Sequence, residues 1–127
     1  MSLLRATPIL FVRDVAASAA FYERALGFGV DFLYGEPPFY GSVSRDEARL
    51  HLRFVSRPNF AELAAREESL ILATLETTDV AGLFAEIAGR DAEIVQPLVA
   101  QPWGGADFQV RDPDGNTISF VQFGKAG

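Results

Sequence analysis

The sequence contains no cysteine, and among its 127 residues there are only one histidine and one tryptophan. The absence of cysteine excludes disulfides, thiolate nucleophiles and cysteine-type zinc sites, and it gives no information on the redox compartment. The apolar runs are shorter than the roughly 18 residues that a membrane span needs. The first residues also lack the basic and apolar segments of a signal peptide. We therefore expect a cytoplasmic protein without a membrane-spanning segment.

Basic residues are also few, with 11 lysines and arginines against 17 aspartates and glutamates and a net charge of −6. Proteins that bind nucleic acid present a basic face to the phosphates, so this balance argues against nucleic acid as a partner. It is compatible with attraction of a cationic small molecule, and equally with the acidity that keeps many proteins in solution. Phosphate loops, dinucleotide fingerprints and the Gly-x-Ser-x-Gly nucleophile motif are absent from the sequence.

The first half of the chain predicts a strand, a helix and three further strands. The alternating residues 7–12 are typical of a strand, and Asp14 supplies an N-cap oxygen to a helix over 15–26. Gly27 is expected to end that helix in a left-handed conformation. Further strands are predicted at about 29–34, 40–45 and 48–55.

The second half repeats the pattern. A strand is predicted at 69–76, Thr78 or Asp79 caps a helix over 80–88, and Gly89 ends it. Both helices begin with Asp-Val-Ala. Proline and glycine at 113–116 predict a tight turn between the last two strands. The strands of this half are predicted at about 93–98, 107–111 and 117–123.

The repeat predicts an α+β fold of two tandem βαβββ modules within a single domain, 1–127. Module 1 covers about 5–56 and module 2 about 69–124, and a connector at 57–68 contains a short helix with Pro58 as its first residue. The hydrophobic content of 49% is sufficient for one core. We expect a curved mixed sheet with the helices on its outer face and a concave cleft on the other, which is a common setting for a ligand site.

Two groups of residues resemble the glyoxalase/bleomycin-resistance/extradiol-dioxygenase superfamily, which has the vicinal oxygen chelate fold. The first group is Val12-Arg13-Asp14 with Phe21-Tyr22 and Leu26-Gly27-Phe28, and the second is Arg111-Asp112-Pro113-Asp114-Gly115-Asn116 with Ile118-Ser119-Phe120. Gln101-Pro102-Trp103-Gly104 before Asp107-Phe108 is most similar to the bleomycin-resistance branch, as is Gly41-Ser42-Val43-Ser44-Arg45-Asp46 before Leu50-His51-Leu52. That branch sequesters a drug without catalysis. The resemblance also implies a homodimer, because clefts in this superfamily are often completed by a partner subunit.

The metal enzymes of the superfamily hold one divalent ion with His, Glu or Gln from the first and fourth strands of each module. The resemblance puts Thr7, His51, Leu72 and Ser119 at these positions, and only His51 is a good ligand. The single histidine excludes a two-histidine site. We therefore predict no metal and no cofactor, and the incomplete ligand set favours a binding protein over an enzyme.

Strand alternation predicts polar candidates for the cleft. Arg49, His51 and Arg53 share one face of the fourth strand, which the resemblance directs toward the cleft. His51 can donate, accept or change charge near neutral pH, and Arg53 can hold a carboxylate or phosphate. The alternative is a solvated strand face. Glu76 is expected to approach His51, and Ser119 completes the polar ligand-binding candidates.

Aromatic residues predict stacking on a ligand. Trp103 lies in a Pro/Gly-rich loop, and Phe39 and Tyr40 occupy the comparable place in module 1 after two prolines. Trp103 is equally compatible with a cap on the core or a dimer contact. If a pseudo-twofold axis relates the modules, these aromatic side chains flank one cleft and stack on a flat ring.

Three functions are compatible with these residues. We favour a metal-free small-molecule-binding protein of the bleomycin-resistance type, which sequesters an aromatic or cationic compound. The alternative is a glyoxalase-like enzyme of the lyase, isomerase or dioxygenase class, with an atypical metal site at His51 or with His51 as acid–base. A third is a protein whose cleft has decayed and which serves in dimerisation.

Overall fold

The computed structural model describes residues 1–67 and 70–124, and the elements follow one another in the order expected for two βαβββ modules. The predicted starts at 7 and 69 are too early, because β1 begins at Ile9 and β5 at Ala73; residue 69 itself lies outside the described residues. The elements are β1 (Ile9–Val12), α1 (Val15–Leu26), β2 (Gly29–Tyr34), β3 (Tyr40–Arg45), β4 (Ala48–Phe54), α2 (Asn59–Arg66), β5 (Ala73–Glu76), α3 (Val80–Ala88), β6 (Glu93–Ala100), β7 (Ala106–Arg111) and β8 (Thr117–Gln122).

The strands form two four-stranded mixed sheets, in the orders β1-β4-β3-β2 and β5-β8-β7-β6. In each sheet the first strand is parallel to the fourth, and the other pairs are antiparallel. The α+β prediction is confirmed, but the described strands make two sheets and not one continuous curved sheet. Each module completes its own backbone ladder, so turns and side chains make the contacts between the modules.

Helix α1 begins at the predicted cap, Asp14, and of the two candidates for α3, Thr78 and Asp79, the structure has Asp79 as the cap. Asp14 Oδ1 accepts a hydrogen bond from Ala17 N, and Asp79 Oδ1 accepts one from Gly82 N, both at 3.0 Å. Gly27 ends α1 with φ +74°, in the left-handed region. Gly89 ends α3 with φ −81°, in the right-handed region, so the two helices end differently.

The connector contains helix α2, as predicted, but the helix begins one residue later than expected. Pro58 is the N-cap residue and Asn59 the first helical residue, and no side chain caps the helix. The predicted end of the connector, residue 68, lies outside the described residues. Within the described part of the chain, no helix has the length and apolar character needed to cross a membrane.

Each sheet has one face against a helix and one helix-free face. Ring contacts show which residues lie against α3: Phe84 of α3 packs on Phe108, and Phe108 stacks on Phe120 at 5.0 Å. In the first sheet, Gly41 lies against Val15 of α1, and Leu52 is the cross-strand partner of Gly41. Side chains alternate along a strand, so the neighbours of these residues lie on the helix-free faces.

The turn between β7 and β8 holds the two modules together. Asp112 Oδ2 accepts a hydrogen bond from the Tyr22 hydroxyl at 2.9 Å, and Asp114 Oδ1 accepts one from Arg13 N at 3.0 Å. The Asn116 amide donates to the Phe11 carbonyl at 3.1 Å. We call the 112–116 segment the module clasp. Because Tyr22 is fully buried and lies beside Asp112, the pKa of its hydroxyl is well above the usual range, and the group remains a donor.

A second contact between the modules is an ion pair. The Arg45 guanidinium at the end of β3 makes two hydrogen bonds to the Glu86 carboxylate of α3, at 2.8 and 2.9 Å, and a third to the Leu26 carbonyl. Arg90 also approaches Glu86, at 3.0 Å. The hairpin of each module therefore contacts the helix-bearing side of the other module.

Candidate functional site

His51 lies at the centre of the helix-free face of the first sheet. A hydrogen bond of 2.8 Å joins its Nδ1 to the Tyr40 hydroxyl, and the Tyr40 ring packs edge-on against the imidazole. Phe32 packs edge-on from another side, with ring centroids 6.1 Å apart. Nδ1 is thus already used, and Nε2 is the imidazole atom for which the described residues provide no hydrogen bond.

Asp31 forms a polar group beside this imidazole. Its two carboxylate oxygens accept hydrogen bonds from Ser42 and Ser44, at 2.8 and 2.7 Å. Arg49 Nε is 3.9 Å from Asp31, which is too long for a hydrogen bond but within electrostatic range. The Ser44 hydroxyl is the main cause of a lowered pKa of Asp31, and Ser42, Arg49 and His51 add to it. Asp31 thus offsets part of the positive charge that Arg49 and Arg53 bring to this face.

The structure places Arg49, His51 and Arg53 on one face of β4, as strand alternation predicts. In the register between β3 and β4, Arg49 lies opposite Ser44, His51 opposite Ser42 and Arg53 opposite Tyr40. The Arg53 guanidinium lies 5.5 Å from the centre of the Phe11 ring, within the range of a cation–π contact. The face therefore combines hydrogen-bond donors with aromatic rings.

Phe39 lies at a corner of the first sheet, where β2 ends and β3 begins. Its ring packs edge-on against Tyr34 at 5.4 Å and covers Gly35, where a Cβ would collide with it. Tyr34 is the cross-strand partner of Tyr40. Phe39 is 51% exposed and Tyr34 66% exposed, so this corner presents aromatic surface to solvent.

Trp103 lies at the equivalent corner of the second sheet, in the loop from β6 to β7. Its ring packs on Phe123 at 5.6 Å and covers Gly105, where a Cβ would also collide. Trp103 is 53% exposed. Within the described part of one chain, no ring contact joins Trp103 to Phe39 or Tyr40. The aromatic candidates thus lie at matching corners of two different sheets.

A polar network on the helix-free face of the second sheet was not predicted. The side-chain amides of Gln96 and Gln101 both donate to Asp107 Oδ1, at 2.7 and 2.9 Å. Gln109 donates in turn to Gln96 Oε1 at 3.2 Å. Asp107 and Gln109 alternate with the buried Phe108 and Val110, and this pattern could have predicted a polar face on β7. It could not have predicted which residue of β6 bonds to them. This network fixes the carboxylate of Asp107 within the sheet.

Ser119 and Glu76 lie apart from the aromatic corners and from His51. Ser119 pairs with Thr74 and Gln109 across the second sheet but is only 3% exposed, so a ligand reaches it only if neighbouring side chains move. Glu76, at the end of β5, lines a cavity at the junction of the modules. No contact between Glu76 and His51 is found in the described part of the chain.

The residues present do not fit the metal site of the superfamily's enzymes. Thr7 and Leu72, the expected first-strand positions, lie outside β1 and β5. The strand register instead puts Ile9 beside His51 and Thr74 beside Ser119, and neither an isoleucine nor a threonine replaces a His or Glu ligand. His51 Nδ1 is engaged by Tyr40. Within the described ranges, no three His, Cys, Asp or Glu side chains converge on one point. The donor set therefore provides no basis for a step through a metal ion.

Sequence comparison gives the family of the chain. The profile of the Glyoxalase/Bleomycin resistance protein/Dioxygenase superfamily matches residues 3–120. The bleomycin resistance protein of Geobacillus stearothermophilus is 32% identical over 133 residues, with 94% of this chain and 97% of that protein covered. The bleomycin resistance protein of Klebsiella pneumoniae is 30% identical, with 93% and 91% covered.

Structure comparison agrees. The crystal structure of a bleomycin-binding protein from bleomycin-producing Streptomyces verticillus, complexed with copper(II)-bleomycin, superposes with a TM-score of 0.73. The identity is 29%, and the alignment covers 100% of this chain and 98% of that one. The fold and the helix-free faces define a small α+β protein with paired modules. The chain belongs to the glyoxalase/bleomycin resistance protein/dioxygenase superfamily, as its motifs predict.

Proposed function

We propose that this protein binds and sequesters a flat aromatic compound of the bleomycin type on its helix-free faces, without chemical conversion. The observation that carries the proposal is the pair of exposed aromatic corners, with Phe39 and Tyr34 on one sheet and Trp103 on the other. Aromatic surface left in water is unfavourable, and a flat ligand removes it from water by stacking. The relatives named bleomycin resistance protein and the drug-bound structural neighbour support the same class of ligand.

Stacking and charge both contribute to this binding. Each aromatic pair adds roughly 0.5–1.5 kcal/mol beyond the burial of its area. The net charge of −6 attracts a cationic ligand over a longer range. Arg49, His51 and Arg53 supply donors to the ligand's acceptors, while the second sheet supplies mainly amide and carboxylate oxygens. We do not expect Ser119 and Glu76 to contact the ligand directly. Ser119 is buried, and Glu76 lies at the junction of the modules, away from the aromatic corners.

A second copy of the chain completes this site in our proposal. Phe39 and Trp103 make no contact within one chain, whereas a homodimer can bring one corner from each subunit together. The exposed apolar side chains at these corners are of the kind that subunit interfaces cover. The test is sedimentation in the analytical ultracentrifuge. At micromolar protein concentration we expect a dimer, and a monomer at every concentration measured would contradict this part of the proposal.

The proposed function also indicates the partners and the location of the protein. The ligand is a small molecule, and neither nucleic acid nor a membrane is part of the proposal. A cytoplasmic location fits sequestration of a drug before it reaches its target. The enzymatic alternative, with a metal at His51, is not proposed, because the residues beside His51 and Ser119 are poor metal ligands.

The direct test is a titration with a metal-free drug of the bleomycin family, followed by tryptophan fluorescence. Trp103 is the only tryptophan, so the signal reports on one corner of the proposed site. We expect a saturable change with a Kd in the micromolar range or tighter, which corresponds to about −8 kcal/mol or better. A flat titration, with no heat of binding in calorimetry, would contradict the proposal.

A matched pair of variants tests where the ligand binds. Phe39→Ala is expected to weaken binding at least ten-fold, because it removes a stacking ring. Leu33→Ala is the control: Leu33 is also exposed, but it lies against Gly41 on the α1 side of the same sheet. Equal affinities of the two variants for the drug would show that Phe39 is not part of the binding site.

A further inference from the structure

A cavity of about 390 Å³ lies at the junction of the two modules, away from the helix-free faces. Its apolar floor contains Phe28 and Phe120, which are almost fully buried, and the half-buried Leu75 and Leu83. Leu83 belongs to α3, and Phe120 lies on the α3 side of the second sheet. The cavity therefore belongs to the helix-bearing side of the molecule. Small-molecule sites usually have volumes of about 300–1,000 Å³, so this one is large enough for a bicyclic ligand.

Two carboxylates lie at the mouth of this cavity. Asp46 and Glu47 form the two-residue turn between β3 and β4, and both residues line the cavity. Both are exposed. Arg45 is the basic residue in the lining, and its guanidinium is already bound by both oxygens of Glu86 and by the Leu26 carbonyl. The mouth thus keeps an excess of negative charge above an apolar floor.

We propose that this junction cavity is a second small-molecule site, selective for a lipophilic organic cation. The apolar part of such a ligand lies on Phe28, Leu83 and Phe120, and its ammonium group lies beside the carboxylates of Asp46 and Glu47. An anion is repelled at the mouth, and a neutral compound of the same shape lacks the attraction. A bare metal ion does not fit, because the floor offers no ligand atoms. The site is separate from the aromatic corners and does not depend on the function proposed for them.

The test compares two probes of the same shape, 1-naphthylmethylammonium and 1-naphthylmethanol, by isothermal titration calorimetry. The ammonium probe is expected to bind at least five-fold more tightly than the alcohol at low ionic strength. This preference is expected to shrink in 0.5 M salt, because screening weakens exposed charges. Amide chemical shifts are expected to move around Ala48, Thr77 and Leu83. Equal affinities of the two probes, or no binding up to millimolar concentration, would overturn the proposal.

Variants separate the junction cavity from the helix-free faces. Asp46→Asn and Glu47→Gln alter exposed side chains and are expected to lower affinity for the ammonium probe at least three-fold each, with the alcohol unchanged. Ala48→Leu adds volume to the cavity wall and is expected to weaken both probes. Trp103→Ala and Phe39→Ala are expected to leave both affinities unchanged. Loss of binding in the last two variants, with the first two unaffected, would assign the probe to the aromatic corners and refute the second site.

Discussion

Asp112 is a buried carboxylate that four donors surround. Its Oδ2 accepts hydrogen bonds from the Tyr22 hydroxyl and the Asn116 amide, and its Oδ1 accepts them from the backbone N–H groups of Asp114 and Asn116, all at 2.9 Å. Burial raises the pKa of Asp112 while the hydrogen bonds lower it, and burial has the larger effect. The side chain serves structure, because each of its oxygens faces two donors.

Replacement of Asp112 by asparagine is expected to destabilise the protein strongly. An amide nitrogen in place of Oδ1 would face two backbone N–H donors, and one in place of Oδ2 would face the Asn116 amide donor while the Tyr22 hydroxyl could turn to accept. At least one hydrogen bond is therefore lost in either orientation of the side chain. The expected loss in the free energy of unfolding is about 1–3 kcal/mol, the cost of one unsatisfied buried donor. Urea unfolding at pH 7 measures it.

Tyr22→Phe provides the matched control for this residue. It removes one of the four donors and no acceptor, so a smaller loss of about 1 kcal/mol is expected. If Asp112→Asn costs no more than Tyr22→Phe, the hydrogen bonds from the turn backbone do not stabilise the clasp.

Single residues show what local sequence predicts well and what it misses. Asp14 was predicted as a cap, and Asp79 as one of two candidates with Thr78, because an N-cap bond spans only three residues. The arginines and histidine of β4 were placed on one face because alternation is also local. Gln96 was missed, because irregular pairing between β6 and β7 on both sides of it sets its position opposite Gln109.

At the scale of elements, the ends of α1 and α3 form a natural comparison. Gly27 has φ +74°, and a Cβ there would lie 2.8 Å from an Arg45 guanidinium nitrogen. Gly27→Ala is therefore expected to lower the free energy of unfolding by about 1–2 kcal/mol, through backbone strain and displacement of Arg45. Thermal or urea unfolding measures the change.

Gly89→Ala is the control for that substitution. Gly89 has φ −81°, and the nearest atoms to an added Cβ are backbone carbonyls at 3.6 and 3.7 Å. The substitution is expected to be neutral or to stabilise by up to about 1 kcal/mol, because alanine restricts the unfolded chain. Similar destabilisation by both alanines would show that the left-handed conformation is not the cause.

The same two glycines mark the limit of reading a repeat from sequence. Both follow a helix that begins with Asp-Val-Ala, yet only Gly27 is left-handed. The residues after Gly89 differ from those after Gly27. Arg90 donates a hydrogen bond to the Arg24 carbonyl, which lies 66 residues earlier in the chain, and it also pairs with Glu86 four residues before it. The division of eight strands into two sheets is also a matter of long-range pairing, which periodicity does not determine.

At the scale of the whole molecule, the pair of Arg45 and Glu86 makes the docking of the modules sensitive to acid. The hydrogen bonds from Arg45 are the main cause of a lowered pKa of Glu86, and the charges of Arg45 and Arg90 contribute. A carboxylate with a lowered pKa in the folded state stabilises the fold above its ordinary pKa. That stabilisation is lost as the pH falls through the lowered value.

Glu86→Gln is expected to reduce stability at pH 7 by roughly 0.5–1 kcal/mol, as for other partly exposed ion pairs. Its difference from the unaltered protein is expected to shrink as the pH falls through the lowered pKa of Glu86, because the unaltered protein then also loses the charge. Chemical unfolding at a series of pH values measures both. Glu23→Gln, at an exposed position of α1, is expected to retain the acid dependence. A constant difference between pH 7 and pH 3 would exclude Glu86 as the source.

The module clasp has a consequence for synthesis of the protein. Its partners in module 1, the Phe11 carbonyl, the Arg13 amide and the Tyr22 hydroxyl, precede it by 90 to 105 residues in the chain. Domains fold from the N-terminus as the ribosome releases them, so module 1 emerges long before residues 112–116. During that interval the Tyr22 hydroxyl has only water as a partner. The contacts that join Tyr22 and its neighbours to the clasp therefore form only after nearly the whole chain has been synthesised.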